Sequence, residues 1–413
     1  MSKYKLEFTL KQHTPLIHFQ HDQDGATLRA TELKPKLDRF LIQKLGLTQI
    51  VQKNGKEKEV PKEEFKHWFI NDGKEHLALD YKVRIEAKEK NTNVWMEPRQ
   101  NRQRKWETKF PTFFANMGKE SKEELVNFTY YNDIKAFITC FIPKLKTKID
   151  NHFPEFLFKT NFGTRQSKGF GSFTTEKESD KNTPYLLVVK KETLDGKNYI
   201  IDPNISFRDI FEIIHYYHQR LKSGINYSYY NKNNRQPFCH YKKAFIREYV
   251  LTKYNYEWDK KWLKEKFLGI KSNNHEKKFV RALLGLAYDF RFTKKRNPCN
   301  PKGILPKYEV EVSIDTNEKE IQRIKSPILY KPIKINNEWR IYILIDDEYL
   351  QKNKQLVSDY KFDFIGNGKI EQLETPNEIF DFLDLISEYH KHLGNTFEVV
   401  NFTGNNKYKI EIK

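Results

Sequence analysis

Residues 163–171 combine glycines with hydrogen-bond donors in one short stretch, Gly163-Thr164-Arg165-Gln166-Ser167-Lys168-Gly169-Phe170-Gly171. Glycines allow positive φ and a close approach of the main chain to a ligand. The guanidinium, amide, hydroxyl and ammonium groups between them can donate to phosphate oxygens, and consecutive backbone N–H groups in such a turn form an anion-binding concavity. The stretch predicts a loop that binds a phosphate chain; the alternative is a glycine turn with solvated charges.

Two known nucleotide motifs do not fit this stretch. A Walker loop ends in Gly-Lys-Ser/Thr, and a dinucleotide fingerprint lies between a strand and a helix and is followed by an acidic residue. Neither pattern frames residues 163–171. The stretch therefore predicts neither of these two nucleotide sites.

The charge balance of the chain favours a polyanionic partner. The 413 residues carry 74 Lys and Arg against 55 Asp and Glu, a formal net charge of +19. Such an excess points first to nucleic acid and second to an anionic membrane surface. Basic residues lie mostly in loops rather than on an amphipathic helix, which disfavours the membrane.

Two basic segments outside the loop could also bind RNA. Residues 99–109 include Arg102, Arg104 and one tryptophan, and residues 222–243 mix five aromatic rings with lysines and an arginine. Cations hold the backbone of single-stranded nucleic acid, and bases stack on rings. The alternative for each segment is a solvated charged face.

Several classes of protein are disfavoured by the sequence. No apolar run approaches the ~20 residues of a membrane span, and no apolar stretch resembling a secretory signal follows the first residues. Three distant cysteines, Cys140, Cys239 and Cys299, form no pair typical of a zinc site or a disulfide framework. We expect a cytoplasmic protein without a cofactor or a metal ion.

The elements that must position the loop follow from hydrophobic periodicity. In the first half we predict a strand, a helix, two strands, a helix, the glycine loop and a strand, over residues 4–20, 27–47, 77–88, 126–143, 150–160, 163–171 and 184–190. This βαββαβ order predicts a ferredoxin-like unit. Residues 50–64 are expected to form a charged surface insertion.

The second half again mixes helices and strands. Helices are predicted over residues 205–222, 244–286 and 374–391, and strands over 308–314, 327–335, 338–346 and, as a hairpin, 396–412. The predicted fold class is α+β. The predicted domains are residues 1–200, with the glycine loop, and residues 201–413, which are richer in helix.

Residues 160–172 resemble the glycine-rich loop of the CRISPR-associated RAMP superfamily, and the form G-x-R-x-x-x-G-F-G-S is similar to that of the first subunit of the Cmr (type III-B) effector complex. Two further stretches are similar to family patterns. They are the turn Leu28-Arg29-Ala30-Thr31-Glu32-Leu33-Lys34 and, later, Leu284-Gly285-Leu286 followed by residues 322–329.

The resemblance implies two ferredoxin-like, RRM-like modules, with a helical insertion in the second. It implies an RNA-binding, non-catalytic subunit that helps to hold guide RNA and target RNA near the 3′ end of the guide, beside other subunits of a Cmr-type ribonucleoprotein. Its RNA-facing parts would be the loop from Gly163 to Gly171 and the turn around Arg29, Lys34 and Lys36.

The histidines of the N-terminal region offer an alternative function. His13, His18, His21, Asp22 and Asp24 include a His-Asp dipeptide, but nothing downstream is spaced to complete a metal site. A metal-independent endoribonuclease of the same superfamily would instead use a histidine as general base on a 2′-hydroxyl. His18 is the candidate for that role.

Overall fold

The computed structural model describes residues 3–16, 27–53, 55–94, 98–100, 106–108, 127–176, 185–195, 198–202, 204–230, 237–269, 275–285, 289–292, 310–316, 326–346, 361–366, 368–376, 380–400 and 406–413. These residues form six α-helices: α1 (Ala30–Leu45), α2 (Pro143–Lys159), α3 (Phe207–Lys222), α4 (Phe245–Tyr254), α5 (Asp259–Leu268) and α6 (Phe382–Leu393).

The strands of the described residues are β1 (Lys5–Gln12), β2 (Thr48–Lys53), β3 (Lys56–Pro61), β4 (Lys82–Val94), β5 (Pro98–Gln100), β6 (Trp106–Thr108), β7 (Asn127–Thr139), β8 (Phe173–Thr175), β9 (Leu186–Asp195), β10 (Asn198–Asp202), β11 (Ile225–Tyr230), β12 (Pro237–Lys242), β13 (Glu257–Trp258), β14 (Lys277–Lys278), β15 (Asp289–Phe292), β16 (Val310–Thr316), β17 (Ile328–Ile335), β18 (Glu338–Ile345), β19 (Lys361–Gly366), β20 (Lys369–Glu374), β21 (Thr396–Val400) and β22 (Asn406–Ile412). The predicted α+β class is confirmed.

The chain divides into two compact units. Unit 1 comprises Met1–Val189, Pro203–Phe211 and Tyr330–Tyr342, and unit 2 comprises Lys190–Asp202, Glu212–Leu329 and Ile343–Lys413.

Unit 1 contains a four-stranded antiparallel sheet in the order β4-β7-β1-β8. One side of this sheet packs on α1 and α2. In α1, Leu33, Leu37 and Leu41 recur every four residues and are fully buried, as the amphipathic pattern predicts. Phe153 of α2 lies 4.3 Å, between ring centroids, from Phe8 of β1. The core of unit 1 therefore lies between this sheet and the two helices.

Helix α2 begins seven residues before the predicted start at residue 150. Proline is favoured at the first helical position because its missing N–H would have no partner there, and Pro143 occupies that turn. Leu145 and Ile149 continue the buried stripe that Phe153 and Phe156 complete. The lysines between them obscure this periodicity in the sequence.

Unit 2 holds a second antiparallel sheet, β15-β16-β19-β20, and helices α4, α5 and α6. Residues 244–286, predicted to be helical, contain the two helices α4 and α5 together with the short strands β13 and β14. Asn255 and Gly269 end α4 and α5 with φ of 58° and 65°, the left-handed conformation that these two residue types tolerate. A single turn of 3₁₀ helix follows at Val280–Leu284.

Candidate nucleic-acid interface

The predicted loop is closed at its base by main-chain hydrogen bonds. Asn161 and Ser172 form an antiparallel bridge, and the Phe162 N–H donates to the Gly171 carbonyl at 3.0 Å. Between these ends, one turn of 3₁₀ helix spans Gln166–Lys168. The loop is therefore a defined turn on the edge of the sheet in unit 1, beside β8.

Left-handed backbone conformations shape this loop. Gly163, Gly169 and Gly171 have φ of 77°, 90° and 65°, and Arg165 has φ of 55°. A Cβ at Gly171 would lie 2.0 Å from the Phe162 carbonyl oxygen, so only glycine fits. At Arg165 the same conformation is unfavourable for a side chain, and such strain persists where the surrounding contacts enforce it.

The side chains of Thr14 and Asn161 hold the loop in place. The Thr14 hydroxyl donates to the Gly169 carbonyl at 2.7 Å and accepts from the Ser172 N–H at 2.9 Å. The Asn161 amide donates to the carbonyls of Gln166 and Tyr330, both at 2.8 Å. These buried bonds fix the turn between β1 and β17.

Helix α1 contributes a charged pair to the mouth of the loop. Glu32 Oε1 accepts from the Gly163 N–H at 2.7 Å and from Lys36 Nζ at 2.9 Å. Lys36 Nζ also donates to the Asn161 carbonyl and to Gln166 Oε1, each at 2.9 Å. A carboxylate of the protein thus occupies one amide of the predicted anion-binding turn, and an ammonium group lies beside it.

A second lysine lies beneath the loop and has no solvent exposure. Lys331 Nζ donates to the carbonyls of Leu157, Thr160 and Phe173 at 2.7–2.9 Å. Burial lowers the pKa of Lys331 well below its usual value, and the nearby charge of Lys36 lowers it further. This side chain ties the C-terminal end of α2 to β8 and supports the loop from within.

The structure places most of the predicted loop side chains at partial exposure. Thr164, Arg165, Gln166, Ser167 and Lys168 are half-buried, whereas Gly163, Gly169, Phe170 and Gly171 are buried. The Phe170 ring stacks on Phe211 at 3.9 Å between centroids, inside unit 1. The Phe170 ring therefore packs in the interior of unit 1, and residues 164–168 form the accessible rim.

Of the three basic residues predicted at the start of α1, Lys36 contacts the loop, Arg29 precedes the helix, and Lys34 contacts other residues. Lys36 joins the loop, and half-buried Arg29 is the N-cap residue of α1, one turn before Glu32. Lys34 Nζ instead pairs with Asp38 at 2.7 Å and donates to the Leu79 carbonyl at 2.9 Å. Its ammonium group therefore contacts residues outside the loop.

Of the remaining histidine, aspartate and arginine residues that the sequence suggests for the site, only His13 lies within the described part of the chain. His18, His21, Asp22, Asp24, Arg102 and Arg104 lie outside the described residues. His13 is buried, and its ring contacts Thr174 Oγ1 at 2.7 Å and the Lys334 N–H at 3.1 Å. Since Nδ1 accepts from that amide, Nε2 carries the proton and donates to Thr174. Burial lowers the pKa of His13 well below its usual value, so this histidine is a neutral structural residue.

Sequence reasoning missed the residues that support the loop: Thr14, Glu32, Asn161 and Lys331. Lys331 had one detectable signal, since it interrupts the apolar strand β17, and a charge in such a run is buried only with partners. Asn161 and Thr14 carry no such signal, because their partners come from distant segments of the chain.

The arrangement is suited to binding an extended anion. The Arg165 guanidinium and the Lys168 ammonium share one turn, and Lys36 lies at its mouth, paired with Glu32. The backbone N–H groups of Gly163, Lys168, Gly169 and Gly171 donate within the protein, so the turn offers chiefly its side-chain cations to an anion. Guanidinium and ammonium groups make charge-assisted hydrogen bonds to phosphate oxygens. Within the described residues, no three His, Cys, Asp or Glu side chains are grouped to hold a metal ion, and no helix there is long and apolar enough to cross a membrane.

Comparison with known proteins assigns both halves of the chain to one family. Residues 3–225 match the Cmr1 N-terminal domain, and residues 241–409 match the Cmr1 C-terminal domain. A search of curated proteins finds no match. The two domains occur in order and together cover most of the chain, including the loop described above. The chain therefore belongs to the Cmr1 family of CRISPR-associated RAMP proteins, which are subunits of the type III-B Cmr complex.

Proposed function

We propose that this protein is an RNA-binding, non-catalytic subunit of a type III-B Cmr complex. It holds guide RNA and target RNA near the 3′ end of the guide, together with the other subunits of the complex in the cytoplasm. The observation that carries this proposal is the loop at residues 163–171, which presents Arg165 and Lys168 on a rigid turn, with Lys36 of α1 beside it.

The support for RNA as the ligand is chemical. The rim of the loop offers the cations Arg165 and Lys168, and the one aromatic ring of the loop, Phe170, is buried. The net charge of +19 adds a long-range attraction for a polyanion. Rigid placement of donors by Thr14 and Asn161 lowers the entropic cost of binding.

We further propose that the chain consists of two ferredoxin-like modules, residues 1–200 and 201–413, the second with a helical insertion. In unit 1 the sheet order β4-β7-β1-β8 and the chain order β1, α1, β4, β7, α2, β8 support this for the first module. Further along the chain the order β9, α3, β17, β18, α6, β22 repeats the pattern, and residues between α3 and β17 supply the insertion. Because β9 spans Leu186–Asp195, the repeated pattern begins shortly before the proposed boundary at residue 200.

Crosslinking tests the proposed function. The full chain is bound to single-stranded RNA that carries 4-thiouridine, irradiated and digested, and the labelled peptides are identified by mass spectrometry. We expect label on the peptide that contains residues 164–168. Label confined to peptides remote from this loop would contradict the proposal.

The same samples test the alternative activity. The proposal predicts that the RNA stays intact over hours without metal ions. Specific cleavage that His18→Ala abolishes would show that the protein is an endoribonuclease instead.

A further inference from the structure

We propose that unit 1 has a second RNA-binding surface, on the side of its sheet opposite to the helices. This inference rests on the proposed function, because it assigns a further stretch of the same ligand. The surface, called here the outer face, consists of three adjacent rows across β1, β7 and β4: Lys5–Thr139–Lys82, Glu7–Phe137–Arg84 and Thr9–Lys135–Glu86.

Strand register places these residues on one side of the sheet. Directly opposed residues in an antiparallel sheet point to the same face, and neighbours along a strand alternate between faces. The intervening residues Leu10, Ile134 and Ile138 are buried in the core, and Phe8 contacts α2. The outer face is therefore the side that the helices leave uncovered.

Exposure confirms this orientation. Lys5 and Lys82 are exposed, and the side chains of Arg84 and Lys135 are 68% and 42% exposed. Phe137 is half-buried. The face therefore presents charged groups around one ring at its centre.

The central feature of the outer face is a guanidinium lying over an aromatic ring. Arg84 Cζ is 4.8 Å from the centroid of Phe137. This cation–π contact holds the guanidinium plane above the sheet. Nucleic-acid bases stack on aromatic rings and on arginine planes, so Arg84 backed by Phe137 forms a platform for one base.

The surrounding charge favours a polyanion over a protein surface of mixed charge. Continuing one residue pair further along the strands adds Lys11, Lys88 and Asp133, so the face carries six cations against three carboxylates. Two of these carboxylates, Glu7 and Glu86, pair with Lys135 and Arg84. Lys5 and Lys82 form no ion pair with any residue that the structure describes, and they flank the platform. Single-stranded RNA fits this arrangement, with phosphates on lysines and a base on Arg84.

Three single variants separate the parts of this surface. Arg84→Lys keeps the charge but removes the planar group, Lys82→Gln removes one phosphate contact, and Lys58→Gln is the control on the exposed hairpin β2–β3. Each full-length variant is titrated with a fluorescent oligouridylate at several salt concentrations. The double variant Arg165→Ala/Lys168→Ala is measured in parallel as the reference for the loop.

We expect Arg84→Lys to weaken binding about fivefold with an unchanged salt slope, because stacking is lost and charge is retained. Lys82→Gln should reduce the slope of log Kobs against log[salt] by about 0.7, the value for one phosphate on a single strand. Lys58→Gln should change neither quantity.

The outcomes distinguish this inference from the proposed function. If the loop variant weakens binding while Arg84→Lys and Lys82→Gln leave it unchanged, the outer face does not bind RNA and the proposed function stands. If those two variants leave RNA affinity unchanged but abolish co-purification of other Cmr subunits, the face docks a protein and this inference is wrong. Unchanged binding in all variants would overturn both proposals.

Discussion

The carboxylate of Glu32 accepts a hydrogen bond from the backbone N–H of Gly163 at 2.7 Å. An acidic group of α1 therefore lies where the loop would otherwise offer its first amide to a phosphate. Lys36, which pairs with the same oxygen at 2.9 Å, offsets this negative charge. RNA bound at the loop must either displace Glu32 or use the rim formed by residues 164–168.

Neutralising Glu32 should strengthen RNA binding. Glu32→Gln keeps an acceptor for the Gly163 amide but removes the charge that repels a phosphate. We expect the Kd for single-stranded RNA to fall about fivefold, close to 1 kcal/mol, as measured by fluorescence anisotropy. The control is Glu63→Gln, whose side chain is 86% exposed and lies outside the loop. Weaker binding by the Glu32 variant would show that its charge helps to form the site.

Glycine at position 171 should be essential for the fold of the loop. Gly171→Ala places a Cβ 2.0 Å from the Phe162 carbonyl oxygen, and that backbone is fixed by its own hydrogen bonds. We expect a loss of at least about 3 kcal/mol in the free energy of unfolding, measured in urea.

Gly55→Ala is the matched control for this variant. Its φ is +73°, and nothing lies within 4 Å of the added Cβ, so only the left-handed conformation is penalised, by about 1 kcal/mol. Equal losses in the two variants would contradict the steric argument.

The buried Lys331 should contribute strongly to the stability of unit 1. Lys331→Met retains the length of the side chain but leaves the carbonyls of Leu157, Thr160 and Phe173 without this donor. We expect a loss of about 3 kcal/mol, since buried carbonyls without a partner are costly. Lys334→Met, on the same strand and half-buried, should change stability by less than about 0.5 kcal/mol. Thermal unfolding of both variants checks this, and a neutral Lys331→Met would show that these bonds contribute little.

Acid should destabilise unit 2 through His390. Burial lowers the pKa of His390 to about 4, and its Nε2 lies 2.8 Å from the Tyr217 hydroxyl. Between pH 6.5 and about 4 the unfolded chain binds a proton at this site that the folded protein does not bind. The free energy of unfolding therefore falls as the pH falls through that window.

The variant His390→Gln isolates this contribution. Between pH 6.5 and 4 the free energy of unfolding should fall by about 2 kcal/mol more in the wild-type protein than in the variant. This figure allows for partial exposure of the ring. Denaturant unfolding at several pH values provides the comparison. Parallel pH profiles for the two proteins would show that His390 is not the group responsible.

Local periodicity allowed much of the fold to be predicted, and long-range contacts account for what was missed. The repeat of Leu33, Leu37 and Leu41 identifies α1 because one face must be buried. The break at Asn255 was missed because asparagine is tolerated inside a helix as well as at its end, and only the left-handed φ distinguishes the two cases.

The residue types of 163–171 locate the loop in the sequence, but they do not show which of its residues are buried and which are accessible. Glycines and cations in residues 163–171 indicate a turn that can bind an anion. The sequence does not reveal that Phe170 stacks on Phe211, or that Asn161 and Lys331 fasten the loop to β17. Those contacts join residues far apart in the chain.

The salt dependence of RNA binding by the double variant Arg165→Ala/Lys168→Ala tests the central proposal most directly. If both side chains contact phosphates, affinity falls for every RNA sequence and the slope of log Kobs against log[salt] becomes shallower by about 1.4, or about 0.7 per contact. Lys58→Ala should leave both quantities as they are. If the double variant has the same affinity and the same slope as the wild-type protein, this loop does not hold RNA.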